Sequence, residues 1–334
     1  MKYGTGTALA AALLLGALPA SAESDPDLSA RHVAAAEAAA GEDLAHVLGN
    51  CKNIGKSFTI PHDKGHEMLE RLVGKGEMRS TAIFDNLVFL GTSWTTAWAI
   101  PTSDGLILID ALNNEDEAKR FIEDGLREVG LDPADIKKIV VSHAHGDHYG
   151  GAAYLQEKYG AEIIMSDTDW QELEKDELQF DDPLWGRPPE RDVSVGDGDT
   201  VTLGDTTITL LETPGHTPGT LSTIVPLTDG GAAHKAIIWG GNGLNFGPNA
   251  AQFVQMIESQ RRLAAMAGED GFDVFLSNHK TLDASYTKLD AMEAGASGNP
   301  FVIGSEQVER AFTAMSHCVA AQLASFDPEA VPAD

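Results

Sequence analysis

A chain of 334 residues, 43% of them hydrophobic, is long enough for one large domain or two small ones with a sizeable core. Asp and Glu number 51 against 23 Lys and Arg, a formal charge of −28. Such a surface repels nucleic acid and anionic membranes, so neither is expected as a partner.

The chain starts with a processing signal. Lys2 supplies a short positive start, Ala8 to Leu18 is an apolar run, and Ala20-Ser21-Ala22 is an A-x-A cleavage site. Residues 1–22 are therefore expected to be a signal peptide. The mature chain is expected to begin near Glu23 and to be exported, to the periplasm or beyond. The run is too short to span a bilayer, and no later segment approaches ~18 uninterrupted apolar residues. Residues 23–50 are Ala-rich, helical or partly disordered. Residues 51–80 show no clear period, and 23–82 read as an N-terminal extension packing on the main body.

From Ile83 the pattern changes, and 83–334 read as one catalytic domain. Phe84 to Leu90 and Trp98 to Ile100 have strand composition. Gly105 to Asp110 is a buried strand ending in an acid, Glu115 to Val129 has helical spacing, and Ile136 to Val141 is the next strand. Gly150 to Tyr159 reads as a helix, Glu162 to Met165 as a strand, with a helix from Asp167. Asp192 to Glu212 reads as a meander of hairpins. Ala236 to Trp239 is a buried strand, Ala250 to Met266 an amphipathic helix, and Asp273 to Leu276 a short strand. Helices near 285–294 and 305–324 close the chain. Strands followed by helices, twice over, predict an α/β fold built as a four-layered αββα sandwich.

Two cysteines, Cys51 and Cys318, lie far apart in a chain expected to be exported. This points to a disulfide tying the extension to the last helix and away from metal ligation, with two free buried thiols as the alternative.

Three motifs follow strand-like runs. Residues 143–148 read His-Ala-His-Gly-Asp-His directly after Ile139-Val140-Val141. Four metal-binding side chains in six positions are hard to explain as packing: neutral imidazoles suit zinc, and Asp147 adds an oxygen donor. His216 stands in Thr-Pro-Gly-His-Thr-Pro-Gly, a tight turn that holds the ring still. His279 closes Ser277-Asn278-His279. His32, His46, His62, His66, His234 and His317 lie outside these motifs. Only His62 and His66, four apart, suggest an accessory metal site, and Pro61 and Gly65 speak against a regular helix there.

His-x-His-x-Asp-His, then Gly-His-Thr-Pro-Gly, then a late Asn-His resembles the metallo-β-lactamase superfamily over about residues 83–325. Within it the chain looks most like the third, histidine-type subclass of the β-lactamases and its relatives. Residues Asn299 to Gly304 and the Cys318 helix are similar to the C-terminus of that group. The resemblance implies the metallo-β-lactamase fold and two zinc ions. His143, His145 and His216 would hold the first, and Asp147, His148 and His279 the second. Asp147 and His216 would act in catalysis as well as in metal binding. Asp110 would orient a ligand histidine or simply cap its strand.

One position sorts the subfamilies. Where glyoxalase-type hydrolases and many lactonases carry a bridging Asp, and the histidine-type β-lactamases often a Ser, this chain has Asn242 in Trp239-Gly-Gly-Asn-Gly-Leu-Asn245. A neutral amide cannot replace a bridging carboxylate. Asn242 and Asn245 are candidates for substrate contact or for shaping a turn. Trp94, beside Thr95 and Thr96, is a candidate apolar wall of the pocket or a core residue.

The implied activity is hydrolysis of a small-molecule carbonyl substrate by a zinc-activated water. A β-lactam, and so antibiotic resistance, is the first expectation. A lactone, ester or other amide is the second. A non-enzymatic metal-storing or metal-sensing protein is a third reading, disfavoured by open coordination positions.

Overall fold

The computed structural model describes residues 1, 25–52, 54–56, 61–92, 94–178 and 180–333. The expected signal peptide lies outside these but for Met1. Among the described residues no helix is long and apolar enough to cross a membrane.

Helix α1 (Pro26–Ala40) opens the described chain. Asp25 caps it by accepting from the Leu28 amide at 2.8 Å, with Pro26 at the first helical position. A 3-10 turn (Ala45–Cys51) and α2 (His62–Leu72) follow. Sequence reasoning held a regular helix doubtful at Pro61 and Gly65, and α2 corrects it. Pro61 sits at the helix start, where a missing N–H costs nothing, and its carbonyl accepts from the Gly65 amide at 2.9 Å.

Two sheets make the body. The first joins β1 (Arg79–Phe84), β2 (Leu87–Gly91), β3 (Thr96–Thr102), β4 (Gly105–Ile109), β5 (Ile136–Val140), β6 (Glu162–Ser166) and β7 (Val193–Val195) in sequence order. It is antiparallel up to β4 and parallel from β4 to β7. Between β4 and β5 runs a helical stretch, α3 (Glu115–Glu117), a π turn (Ala118–Glu123) and α4 (Asp124–Glu128). After β5 come α5 (Gly146–Tyr149) and α6 (Ala152–Tyr159), and after β6 comes α7 (Asp167–Leu173). The second sheet has the order β12-β11-β10-β9-β8: β8 (Thr200–Leu203), β9 (Thr206–Glu212), β10 (Leu221–Asp229), β11 (Ala232–Trp239) and β12 (Val274–Ser277). Helices α8 (Ala250–Asp270), α9 (Ser285–Glu293) and α10 (Ser305–Ala324) complete the chain.

Period-two alternation sorts the strand residues into layers. In β4, Ile107 and Ile109 face the other sheet, where they pack among Trp98, Val140, Leu210, Ile238 and Leu276. Leu106 and Leu108 face outward onto Phe121, Ile122, Leu126, Leu155 and Trp170. The outer face of the second sheet buries Ile237, Trp239 and Phe275 beneath α8 and α10, with Leu44 and Val47 of the N-terminal segment in the same cluster. The result is the expected αββα sandwich.

The boundaries moved where composition was ambiguous. β1 begins at Arg79 and so crosses residue 82. Residues 221–229 form a long strand not foreseen, because Pro226 and the Ser and Thr residues mask its apolar alternation; Pro226 pairs with Lys235 in register. Strand β11 starts at Ala232.

Cys51 and Cys318 are bonded, closing a separation of 267 residues and fastening the 3-10 turn to α10. Cross-linking so long a loop restricts the unfolded chain by roughly 5–6 kcal/mol in the chain-entropy relation. Replacing both cysteines with serine should lower unfolding stability by about 2–5 kcal/mol, seen as an earlier denaturant midpoint; an unmoved midpoint would contradict that.

Candidate metal centre

The three motifs meet at one edge of the sandwich because each sits just past a strand end. The 143–148 loop leaves β5, His216 follows β9, and His279 follows β12. The Gly240–Asn245 loop leaves β11 beside them. The strand ends are stitched across the two sheets: the Leu221 amide donates to Ser142 O at 2.8 Å, and the Thr96 amide to Asn278 O at 2.9 Å.

His143, His145 and His216 bring one donor atom each to within 4.8 Å of one another, and so do His143, Asp147 and His148. His279 joins the second set, with its Nε2 3.6 Å from Asp147 Oδ2. All six residues named from sequence therefore converge. All are buried except His279, whose side chain is 28% exposed.

Hydrogen bonds on the far side of each ring assign its tautomer. His143 Nδ1 donates to Gly240 O at 2.8 Å, and His216 Nδ1 to Gly243 O at 2.7 Å. His148 Nδ1 lies 2.8 Å from Asp110 Oδ2. The Nδ1 protons are thus held outside the cluster, and the His143 and His216 Nε2 lone pairs face in. His143 Nε2 is buried with no hydrogen-bond partner, and His148 Nε2 faces Asp147 Oδ2 at 3.2 Å. His145 Nδ1 and His216 Nε2 stand 3.0 Å apart. A buried acceptor nitrogen with no donor, such as His143 Nε2, is costly unless a cation meets it. The donor set therefore fits a metal.

Electrostatics agree. Burial drives the His143 and His145 imidazoles well below their ordinary value, and takes His216 and His279 down to about 4. Four of the five rings are therefore neutral near pH 7, as ligation requires. His148 differs: burial opposes its charge, but Asp147 and Asp110 outweigh that and raise it to about 10. Asp147 is the counterpart. Burial favours its neutral form, yet His148 and the neighbouring imidazoles hold its carboxyl far below the usual range.

Asp110 earns its place by bonds on both oxygens. Oδ1 accepts from the Ser142 amide at 2.7 Å, and Oδ2 from the Ser142 hydroxyl at 2.9 Å as well as facing His148. It holds a left-handed backbone, φ 65°, sparsely populated for a non-glycine residue. Asn278 donates to Ser142 Oγ at 3.0 Å and to Gly240 O at 2.7 Å, tying β5, β11 and β12 together.

Trp94 stands beside the cluster, its ring centroid 5.3 Å from that of His279, with a buried, unpartnered Nε1. The Asn242 and Asn245 Oδ1 atoms are also buried without a partner. Gly241 and Gly243 explain the loop's composition: a Cβ on either would come within 2.6 or 2.9 Å of the His216 ring. His66 Nδ1 lies 2.9 Å from Asp182 Oδ2, and the His62 side chain is outside the described ones.

Sequence reasoning missed two residues. Phe180 sets its ring edge-on to His145, centroids 4.7 Å apart. Asp169, in the first turn of α7, accepts from the Ala144 amide (2.9 Å), the Thr217 hydroxyl (2.8 Å) and the Gly219 amide (2.9 Å). It welds the first motif to the second, although in sequence it looks like any acid at a helix start. Burial raises its carboxyl to about 6 against those three bonds. Asp169→Asn would turn an amide NH2 toward at least one donor. It should cost about 1–3 kcal/mol of stability, measured by denaturant unfolding of the metal-free chain; an unchanged midpoint would refute the weld.

Comparisons with known proteins follow this geometry. Residues 92–229 match the profile of the metallo-β-lactamase superfamily. BJP-1, a subclass B3 metallo-β-lactamase of Bradyrhizobium japonicum, superposes with a TM-score of 0.61 and 28% identity, covering 73% of this chain and 92% of that one. A Cronobacter sakazakii metallo-β-lactamase with a HARLDQ motif gives 0.63 and 26%, over 79% and 93%. A hydroxyacylglutathione hydrolase of Rhodopseudomonas palustris (strain BisA53) is 38% identical over 79 residues, 24% of this chain. The match spans only 25% of that relative's length. Sheet order, clustered imidazoles and the profile match over residues 92–229 mark this chain as a metallohydrolase that resembles the metallo-β-lactamase superfamily and, within it, the subclass B3 enzymes.

Proposed function

We propose that the chain is an exported hydrolase that opens an amide bond, that of a β-lactam ring, with two zinc ions bound. His143, His145 and His216 hold one ion, and Asp147, His148 and His279 the other. The observation that carries this reading is the buried, unpartnered His143 Nε2 at the shared point of two clusters of metal-ligating side chains, three of whose rings are held neutral. Likeness to subclass B3 over 73% of the chain supports the substrate. The nitrogen-rich donor set suits zinc, and three protein ligands per ion leave room for water.

When bound, the cations lower the pKa of water toward neutrality and polarise the carbonyl. The chain's own groups do the rest. Asp147 orients the attacking water. Asp110 and the two glycine carbonyls hold the rings still. Trp94 offers an apolar wall, and the unpartnered amides of Asn242 and Asn245 offer hydrogen bonds to substrate. Residues 1–22 direct export, and the charge of −28 keeps nucleic acid and anionic membranes away.

Metal-loaded protein should turn over nitrocefin or a carbapenem, and EDTA should abolish this. Inactivity of zinc-replete protein on every β-lactam would end the reading. His216→Ala should lower kcat/KM by at least ~100-fold, since partners outside the ligand shell already cost 10–100-fold; a smaller loss would remove His216 from the centre.

A second reading has its own observation. Asn242 departs from both the bridging Asp and the β-lactamase Ser, and the superfamily includes hydroxyacylglutathione hydrolases. It makes the chain a lactone, ester or other amide hydrolase of the same fold without β-lactamase activity. A panel of lactones, aryl esters and thioesters tests it, and higher kcat/KM on β-lactams than on all of these counts against it.

A further inference from the structure

The N-terminal segment lies against the second sheet's helices, yet one of its side chains reaches the metal-centre loops. Asn50 Nδ2 donates to the main-chain carbonyl of Asn242 at 2.8 Å, across 192 residues of sequence. Asn50 is itself held firmly. The next residue, Cys51, is bonded to Cys318 of α10. The Asn50 carbonyl accepts from Gln322 Nε2 at 2.9 Å, and the same nitrogen bonds Lys52 O at 3.3 Å. The 3-10 turn is thus fastened to α10 at Asn50 and at the two residues after it.

The loop it grips is otherwise lightly held. Gly240 is pinned by His143 and Asn278. From Gly241 to Phe246, among the described residues, only Asn50 and His216 hydrogen-bond the main chain through side chains. The segment lacks regular structure and contains Gly241 and Gly243, so its backbone is free to wander unless something restrains it. Those two glycines pack on the His216 ring, and the Gly243 carbonyl takes the His216 Nδ1 proton. Asn242 lies next to Gly243 in the chain, so fixing the Asn242 carbonyl fixes the acceptor that aims His216.

We propose that Asn50 is a positioning residue for the metal centre: its bond to Asn242 O sets the 240–243 loop, which holds the tautomer and direction of His216. This rests on the reading of His216 as a zinc ligand. The effect is confined to one ion. His148 is oriented by Asp110 at 2.8 Å, with no bond to the loop. Loosening the loop disturbs the His143, His145 and His216 set and spares the set of Asp147, His148 and His279.

The test compares full-chain wild type, Asn50→Ala and Asn50→Asp. The Asp variant keeps the shape but removes the donor and sets a carboxylate against a carbonyl. Zinc affinity is measured by chelator competition, the ligand field by absorption of the cobalt-substituted protein, and folding by thermal unfolding without metal. Both variants should bind one ion about tenfold or more weakly, with Asp at least as impaired as Ala. Their cobalt spectra should change while the second ion keeps its affinity. Unchanged affinities and spectra, equal weakening of both ions, or loss of folding in both variants would each overturn the assignment. His216→Ala is the reference. If it binds as wild type does, the metal reading fails and this inference with it. If it loses one ion while the Asn50 variants do not, this inference alone fails.

Discussion

The structure depends on one constraint: buried imidazoles must present lone pairs to a common point while their protons are held elsewhere. The far nitrogens of His143, His148 and His216 meet this constraint through Gly240 O, Asp110 and Gly243 O. The near nitrogen of His143 is left without a partner, and that of His148 faces the Asp147 carboxylate. Without a cation such a cluster is a concentrated desolvation cost. With one, the same arrangement is preorganised, since the rings need no reorientation to bind. The two sheets meet at the edge where β5, β9, β11 and β12 end, and these rings occupy the loops that follow.

Holding those ends together takes residues that never face the cluster. Asp169 bridges the loops after β5 and β9, and Asn278 bridges those after β5 and β11. Asp110 combines a left-handed backbone with a carboxylate that accepts from His148 Nδ1. The disulfide extends the scaffold outward, tying the N-terminal turn to α10. The centre is therefore built from contacts spread through the whole fold, consistent with side chains from distant segments acting as one unit.

Much of this was legible in the sequence because its signals were local. The His-Ala-His-Gly-Asp-His run after an apolar strand, the Pro and Gly around His216, and the Asn-His after β12 identified all six converging side chains. The continuous apolar run of β4 identified a buried strand. What was not legible depended on distant contacts. Asp169 is an acid in the first turn of a helix, indistinguishable locally from a residue favoured there by the helix dipole. Asn50 sits in a segment without periodicity, and its partner is a backbone carbonyl 192 residues away. Strand β10 was hidden by Pro226, which its pairing with β11 accommodates. Helix α2 forms because Pro61 sits at the helix start, a position where composition alone suggests a break.

The substrate is a separate matter from the centre, because one fold carries many chemistries on the same ligand set. Asn242 shows both roles: its side-chain oxygen is buried and unpartnered beside the centre, while its backbone carbonyl serves the scaffold. The account stands on a bimetallic centre, and anomalous diffraction at the zinc edge from crystals of the metal-loaded protein tests that most directly. Two peaks are predicted, one bounded by His143, His145 and His216, the other by Asp147, His148 and His279. A single peak, or peaks away from these side chains, would contradict it.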